Sequence, residues 1–447
     1  MRNPPDIGQK SEPDMRIWLV NTGEEIPSDT GRPRLLRTGI MAERLARRGH
    51  QVTWWNSTVN HQRKEQRAST TTIADRPEGY KLVLLHGRLY AKNVSIGRIV
   101  SQVQNAREFA RIAPTLPRPD VILCGYPPIE LAEAAVRFAR SNSVPVAVDF
   151  RDMWPDIIAE YVSGLGRFAA MPAVAYWSRS LRYTVRNATA ILGVTDGFVD
   201  WALRRGGRPR GPLDRAFHLA INPTPPAQSD VYDAERFWDE MGIVSGREQT
   251  IGCFAGTLSH RLDIKTLVQA AVQLPETDKQ TLKLVICGKG DQDDELRALG
   301  RKEKHIVFAG WRTAAEIHVL LRRCHYGAVP YFSTSDFVVH YPNKVGEYLG
   351  AGLPIMTGLT GQVRSLLKAR GLGYFYNEGD VASAARCLQL ISADRSSFET
   401  KQRMAREVYK ELFDPQQIYD NFCELLEHLA SEGLCNNNIA SDRAAAL

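Results

Sequence analysis

No apolar run in this chain reaches the ~18 residues that a bilayer-spanning helix needs, so no transmembrane segment is expected. Cysteine is sparse too: seven in 447 residues, an odd number with no CxxC pair. That excludes a disulfide framework and a cysteine-based zinc site. Several of the seven sit inside apolar stretches such as CFAG and VICG, which fits reduced, buried thiols in a cytosolic protein. The motifs GxxxxGKS/T, HExxH and GxSxG are all missing, which removes P-loop, zincin and serine-hydrolase readings. No residues stand at metal-ligand spacing. The first residues, MRNPPDIGQKSEPDMR, are polar and lack the apolar stretch of a secretory signal, so a cytoplasmic location is expected.

Positive charge is plentiful but uneven. Of the net +7, residues 1–215 carry +11 and the remainder −4. An excess of this kind points to an anionic partner for the first half, either nucleic acid or an anionic membrane face. No recognised nucleic-acid reader motif is present, and the arginines are scattered rather than interleaved with aromatics. The stretch 86–111 sets Arg88, Lys92, Arg98, Arg107 and Arg111 among apolar residues. It reads either as a basic amphipathic surface for the inner membrane face or as a solvated helix.

A chain of this length exceeds one ordinary core. Short apolar runs at 15–21, 51–56, 81–87, 120–125, 145–150 and 190–194 read as buried strands with helices between them. The pattern breaks at 205–230, where RGGRPRGPLD and NPTPPAQSD are rich in Gly and Pro. It resumes with runs at 250–256, 282–288, 305–310, 326–331 and 353–358. Strands alternating with helices predict an α/β protein with parallel sheets covered on both faces. Two Rossmann-like, doubly wound domains are therefore expected, facing across a cleft, over residues 15–215 and 249–411. Residues 216–248 read as a linker and 412–430 as an amphipathic helix with Ile418, Phe422, Leu425 and Leu429 on one face. Residues 1–14 and 431–447 read as disordered ends. Ligands in such sheets bind beyond the carboxyl ends of the strands.

Several loops follow strands directly. In DFVVHYPNKVGEYLGAGLPIMT, Pro342, Asn343 and Lys344 open a helix that ends at Gly352. Backbone N–H groups at a helix start favour anions, Lys344 adds a full charge, and Glu347 one turn later can accept two sugar hydroxyls. The alternative is a βα unit whose polar residues only cap a helix. Gly256, Thr257, Arg261 and Lys265 follow the first strand of the second half. Small residues there let amides face a phosphate, and the two cations can neutralise a leaving diphosphate or, as the alternative, simply be solvated at a helix start. Gly288-Lys289-Gly290 resembles GxGxxG, but the third position is Asp293, so a nicotinamide site is weakly supported. In the first half, Gly23 and Gly31 flank the loop after the first strand, either approaching a ligand or merely turning the chain. Arg151, Asp152 and Trp154 follow the strand 145–150. Asp152 can position or deprotonate a hydroxyl and Arg151 can hold a phosphate, or the pair simply closes a loop.

In order and at these separations, RDMWPD (151–156), CFAGTLSHRLDIKTL (253–267), LVICGKGD (284–291), VFAGW (307–311) and PNKVGEYLGAGLPI (342–355) resemble glycosyltransferase family 4 of the GT-B fold. The likeness is nearest to enzymes of bacterial surface-polysaccharide synthesis and runs from about Met15 to Leu429. It implies retaining transfer of a hexose from a nucleoside-diphosphate-sugar, expected to be UDP-linked, to a saccharide or polyprenyl-linked saccharide, with no cofactor and no metal. The second domain then holds the donor and the first the acceptor, and 412–430 is the helix that crosses back to the first. Glu347 matches the ribose-binding glutamate, Asn343 and Lys344 stand near the phosphates, and Arg261 and Lys265 near the basic pair. Gly23 and Gly31 match the acceptor-side glycine loop. Family members often carry an acid eight positions before the glutamate, where this chain has Val339. A GT-B-like epimerase or hydrolase, or a silent nucleotide-sugar-binding protein, is the alternative.

Overall fold

The computed structural model describes residues 14–30, 34–93, 95–157, 165–220, 226–244, 246 and 249–445. The chain divides into two compact units. The first takes residues 1–194, 198–217 and 419–447, and the second 195–197 and 218–418.

In the first unit the elements run β1 (Arg16–Val20), α1 (Arg37–Arg47), β2 (Gln51–Ser57), β3 (Val59–Asn60), β4 (Glu65–Gln66), β5 (Thr72–Asp75), β6 (Lys81–Leu85), α2 (Ile96–Ile112), β7 (Val121–Tyr126), α3 (Ile129–Ser141), β8 (Val146–Phe150), α4 (Leu165–Asn187), β9 (Ala190–Gly193), α5 (Asp196–Gly206) and β10 (Arg215–Ala216). Eight strands form one sheet in the order β10-β9-β8-β7-β1-β2-β6-β5. All its pairings are parallel except β5 with β6. Strands β7, β8 and β9 are buried along their whole length, because helices cover both faces of a parallel sheet and alternation is lost. The aromatic residues Trp18, Trp55, Phe109 and Phe138 pack one face, with ring centroids 4.8–6.2 Å apart.

In the second unit the order is α6 (Gln228–Glu240), β11 (Thr250–Ala255), α7 (Ile264–Val272), α8 (Glu276–Thr281), β12 (Leu282–Cys287), α9 (Asp293–Gly300), β13 (Ile306–Gly310), α10 (Ala314–Arg323), β14 (Tyr326–Val329), α11 (Asn343–Ala351), β15 (Ile355–Thr357), α12 (Gln362–Ala369), β16 (Gly373–Phe375), α13 (Val381–Ala393), α14 (Phe398–Leu412) and α15 (Pro415–Ala445). Six parallel strands lie in the order β13-β12-β11-β14-β15-β16. Ile251, Cys253 and Ala255 of β11 face one core with α6, α10, α11, α12 and α14, while Phe254 faces a second core with α7, α9 and α13. The unit is a doubly wound sheet, as its alternating pattern predicts.

Two sequence expectations need correction. The stretch 216–248 is not plain linker, because it contains α6, whose Val231, Ala234 and Trp238 join the second unit's core. The Trp238 indole donates to the Glu316 carbonyl at 2.7 Å. Secondly, α15 continues to Ala445, so irregular chain from 431 does not describe this segment. From Tyr419 onward α15 belongs to the first unit, so the helix expected to cross back to it does so, with the boundary inside the helix. It docks there through buried Tyr419, Phe422, Leu426 and Leu429. Phe422 stacks on Phe217 at 4.2 Å, and Arg48 and His50 both reach Glu427 at 3.0 Å. No described helix is long and apolar enough to cross a membrane.

Candidate functional site

In the second unit, the loops after β11 and β12 are sewn together backbone to backbone. The Gly256 amide donates to the Cys287 carbonyl at 2.9 Å, Leu258 to Lys289 at 3.0 Å, and Gln292 to Leu258 at 3.0 Å. Glycine at 288 and 290 is a steric demand of that seam. A Cβ at 288 would lie 1.8 Å from the Gly256 carbonyl oxygen, and one at 290 would lie 2.1 Å from that of Leu258. Gly288 also has a φ of 144°, where a side chain is strained. Its glycine therefore accommodates the chain's own backbone, which in sequence looks the same as approach to a phosphate. Gly288→Ala is expected to cost about 1–3 kcal/mol in urea denaturation and to weaken donor binding by moving the Gly256 loop. Unchanged stability would refute the packing argument.

Helix α11 starts beside this seam. Pro342 precedes it in an extended conformation, and no side chain caps its first amides. Its buried Tyr348 fixes it to the sheet, the phenol accepting from the Ala255 amide at 3.1 Å. The first turn presents Lys344 and Glu347, whose Nζ and Oε2 are 2.6 Å apart with both side chains 21 % exposed. Lys344 Cε lies 3.6 Å from where a Cβ on Gly256 would stand. Gly256, Lys344 and Glu347 therefore form one cluster at the carboxyl ends of neighbouring strands, with Asn343, Thr257 and Lys289 exposed on its loops.

The two other cations predicted here part ways. The Arg261 guanidinium lies 3.6 Å from Asp336 and 5.5 Å from the Phe337 ring centroid, on the loop that leads into α11. Lys265, in the first turn of α7, is half-exposed and pairs with Glu295 of α9 at 2.7 Å. No described contact joins Lys265 to the Lys344–Glu347 pair. Val339 closes a one-turn helix, Phe337–Val339, and the nearby Asp336 is engaged by Arg261 and the Thr334 hydroxyl.

In the first unit, Arg151 is part of a buried network that the sequence did not reveal. Asp149, fully buried, accepts from Arg37 at 2.9 Å and from Arg151 at 2.7 Å. Arg151 also donates to Glu24 and to the Thr38 hydroxyl. Glu24 in turn accepts the Thr38 amide at 3.0 Å and Asn21 at 2.9 Å. Burial pushes the Asp149 carboxyl up, but Arg37 and Arg151 overcome it and hold it below its ordinary range. The Arg151 guanidinium is raised: burial opposes its charge, and Asp149 and Glu24 outweigh that. With two cations and two anions closed on themselves, Arg151 is committed to structure. The Asp152 carboxylate accepts the Met153 amide at 2.8 Å, which shapes the loop. Trp154 is half-buried, with its carbonyl taken by the Tyr126 hydroxyl at 2.9 Å and its ring under Arg98. Gly23 has a φ of 110° and open space where a side chain would go. Gly31 lies outside the described residues.

The family model described as glycosyl transferases group 1 matches residues 243–411, and that of the glycosyl transferase 4-like domain matches residues 37–213. The chain belongs to the family 4 glycosyltransferases of the GT-B fold. The first match covers all six strands of the second unit's sheet, and the second covers the first unit's sheet apart from β1 and β10. No curated protein matches this glycosyltransferase in sequence. Among solved structures, a sucrose-phosphate synthase from Thermosynechococcus elongatus is similar at a TM-score of 0.68 and 15% identity, covering 94% of this chain and 100% of the other. Anabaena HepE in complex with UDP-glucose is similar at 0.59 and 15%, covering 93% and 100%. WaaG, a glycosyltransferase involved in lipopolysaccharide biosynthesis, is similar at 0.58 and 13%, covering 92% and 99%. At these identities the structural likeness concerns the fold.

Proposed function

We propose that this glycosyltransferase moves a hexose, with retention, from a UDP-sugar to a saccharide or lipid-linked saccharide used in building a polysaccharide. The observation that carries the donor side is the Lys344–Glu347 pair at the uncapped start of α11, beside Gly256. Each half of that pair suits one part of a nucleoside-diphosphate-sugar. The α11 amides and Lys344 receive the diphosphate. The Glu347 carboxylate, released from Lys344, accepts two ribose hydroxyls. Arg261 supplies a second positive charge as the sugar–phosphate bond breaks. The acceptor oxygen then bonds to the anomeric carbon on the face the diphosphate leaves, and its proton passes to a departing phosphate oxygen. No metal or other cofactor enters this scheme. UDP and UDP-glucose in complexes with similar folds favour a uridine donor.

The acceptor falls to the first unit, whose sequence carries the excess of positive charge. That excess also favours an anionic membrane face, which would make the enzyme peripheral to the inner leaflet. A thermal-shift screen against UDP-, GDP- and TDP-sugars tests the donor assignment. Ligand at 100 Kd stabilises by about 2.7 kcal/mol, equivalent to roughly 5–10 °C for a unit of this size. The largest shift is expected with a UDP-sugar. No shift with any of the three would overturn the reading.

A further inference from the structure

We propose that Lys64 and Arg98, with Tyr90 and Trp154, form a phosphoryl-binding subsite in the first unit that takes the phosphate of a sugar-phosphate or sugar-diphosphate acceptor. This rests on the glycosyl-transfer reading above and names the chemistry of its acceptor.

The cluster is assembled from three loops. Lys64 sits in the turn between β3 and β4 with a φ of 58°, a left-handed conformation that costs a non-glycine residue about 1 kcal/mol or more. That turn aims its ammonium at the Asn93 amide oxygen, 2.5 Å away, and at the His61 carbonyl. The same ammonium stands 5.3 Å from the Tyr90 ring centroid. Arg98, in the first turn of α2, donates to the Asn93 carbonyl at 2.8 Å and lies 5.4 Å from the centre of the Trp154 ring. Its Nε is buried and has no hydrogen-bond partner. His61 completes the floor, with Nδ1 2.6 Å from the Tyr90 hydroxyl.

Among the described residues, neither Lys64 nor Arg98 forms an ion pair. Elsewhere in the unit the half-buried and buried cations meet carboxylates: Arg37 with Asp149, Arg67 with Asp29, Arg151 with Glu24. The described contacts of Lys64 and Arg98 are with neutral oxygens and aromatic faces. They also act on each other. Burial and then Arg98 lower the Lys64 ammonium, and burial with Arg98 and Lys64 brings His61 down to about 4, so the imidazole is neutral at pH 7. Glu130 feels the charge of Arg98, with no described ion pair between them. Burial raises its pKa, and it is hydrogen-bonded to the Trp177 indole at 2.8 Å. Two like charges held together with no described ion pair fit a ligand that brings its own negative charge. Tyr90 and Trp154 offer flat apolar faces for a sugar ring beside it. Trp154 follows β8, at the sheet end where such folds bind ligands. Leu89 and Ile96, 44% and 80% exposed, flank the cluster and would suit the isoprenoid of a lipid-linked acceptor.

The test uses the full chain saturated with UDP, so that phosphate probes cannot occupy the donor site. Calorimetric titration then compares glucose, glucose 6-phosphate, and glucose on a short prenyl diphosphate in detergent micelles. At least one phosphorylated probe is expected to bind about ten-fold or more tightly than glucose. Lys64→Ala and Arg98→Ala should each weaken it by about ten-fold, with UDP affinity unchanged and Lys64→Arg close to wild type. Preference for the prenyl compound assigns a lipid-linked acceptor, and preference for glucose 6-phosphate a soluble one. Failure of both phosphorylated probes, equal binding of glucose, or alanine variants that bind like wild type overturns the subsite. Loss of UDP binding alone, with phosphate binding intact, overturns the donor assignment instead.

Discussion

Replacing Glu347 with alanine is expected to lower kcat/KM for transfer by about 10²–10³-fold while leaving the fold intact. Hydrogen bonds to a charged group contribute about 1.5–3 kcal/mol each, and two to the ribose make a loss of about 3–4 kcal/mol reasonable. Stability should scarcely change, because the side chain is partly exposed and its ion pair with Lys344 is of the kind worth about 0–1 kcal/mol. The variant also separates the two jobs assigned to the pair. Without Glu347, Lys344 and the α11 amides still attract a diphosphate, so inorganic diphosphate should bind at least as well as before. The preference for UDP over diphosphate should largely vanish. Glu347→Gln, which keeps one acceptor, should fall between the two. Lys265→Ala serves as the contrast: its exposed pairing with Glu295 lies outside the cluster, and a change within about two-fold is expected. Initial rates with a UDP-sugar and calorimetry with UDP and diphosphate read all four results. Wild-type kinetics for Glu347→Ala would remove that residue from the site.

How much of this could be read in advance depended on how local the determinants are. The buried strands were legible because a parallel sheet covered on both faces writes continuous apolar runs, as in β7 and β12. Strand β5 was not, since all four of its residues are exposed at an edge and only its antiparallel pairing with β6 makes it a strand. Helix α6 lay hidden between Gly- and Pro-rich flanks, and the core that holds it is distant in sequence. The Lys344–Glu347 cluster was legible because it is carried by one helix start: Pro342, Lys344 and Glu347 fall within six positions. The pairing of Lys265 with Glu295 was not legible, because helix phase alone does not say which neighbour a long side chain meets. The polar network of the first unit is local only where Arg151 meets Asp149 and Asn21 meets Glu24, and its other links left no trace in the sequence. Arg37 and Asp149 are 112 positions apart, and Arg151 and Glu24 are 127 apart.

That network should reveal itself when its centre is neutralised. Asp149→Asn leaves two buried guanidinium groups facing one carboxylate, and breaking a buried pair from one side typically costs about 3–5 kcal/mol. For a unit of this size that is roughly 6–20 °C of melting temperature, a large share of a normal domain's 5–15 kcal/mol. The pH dependence gives a signature that a mere packing defect would lack. The folded Asp149 is held below its unfolded value of about 3.9. Its contribution is therefore complete above that value and is lost as pH falls through the lower, folded one. Urea unfolding should show a gap between wild type and variant that is constant near pH 7 and narrows below about pH 4. A gap that stays constant through that range, or is under about 1 kcal/mol at pH 7, would mean that Asp149 is not ionised against its two arginines. Removing Arg37 as well should recover part of the loss, because the double variant has one uncompensated cation fewer. The same residues join the loop after β1, through Glu24, to the loop after β8, through Arg151. Since Trp154 stands on the second of these loops, Asp149→Asn should also raise the acceptor KM while UDP affinity holds, which ties the buried charges to the sheet end they support.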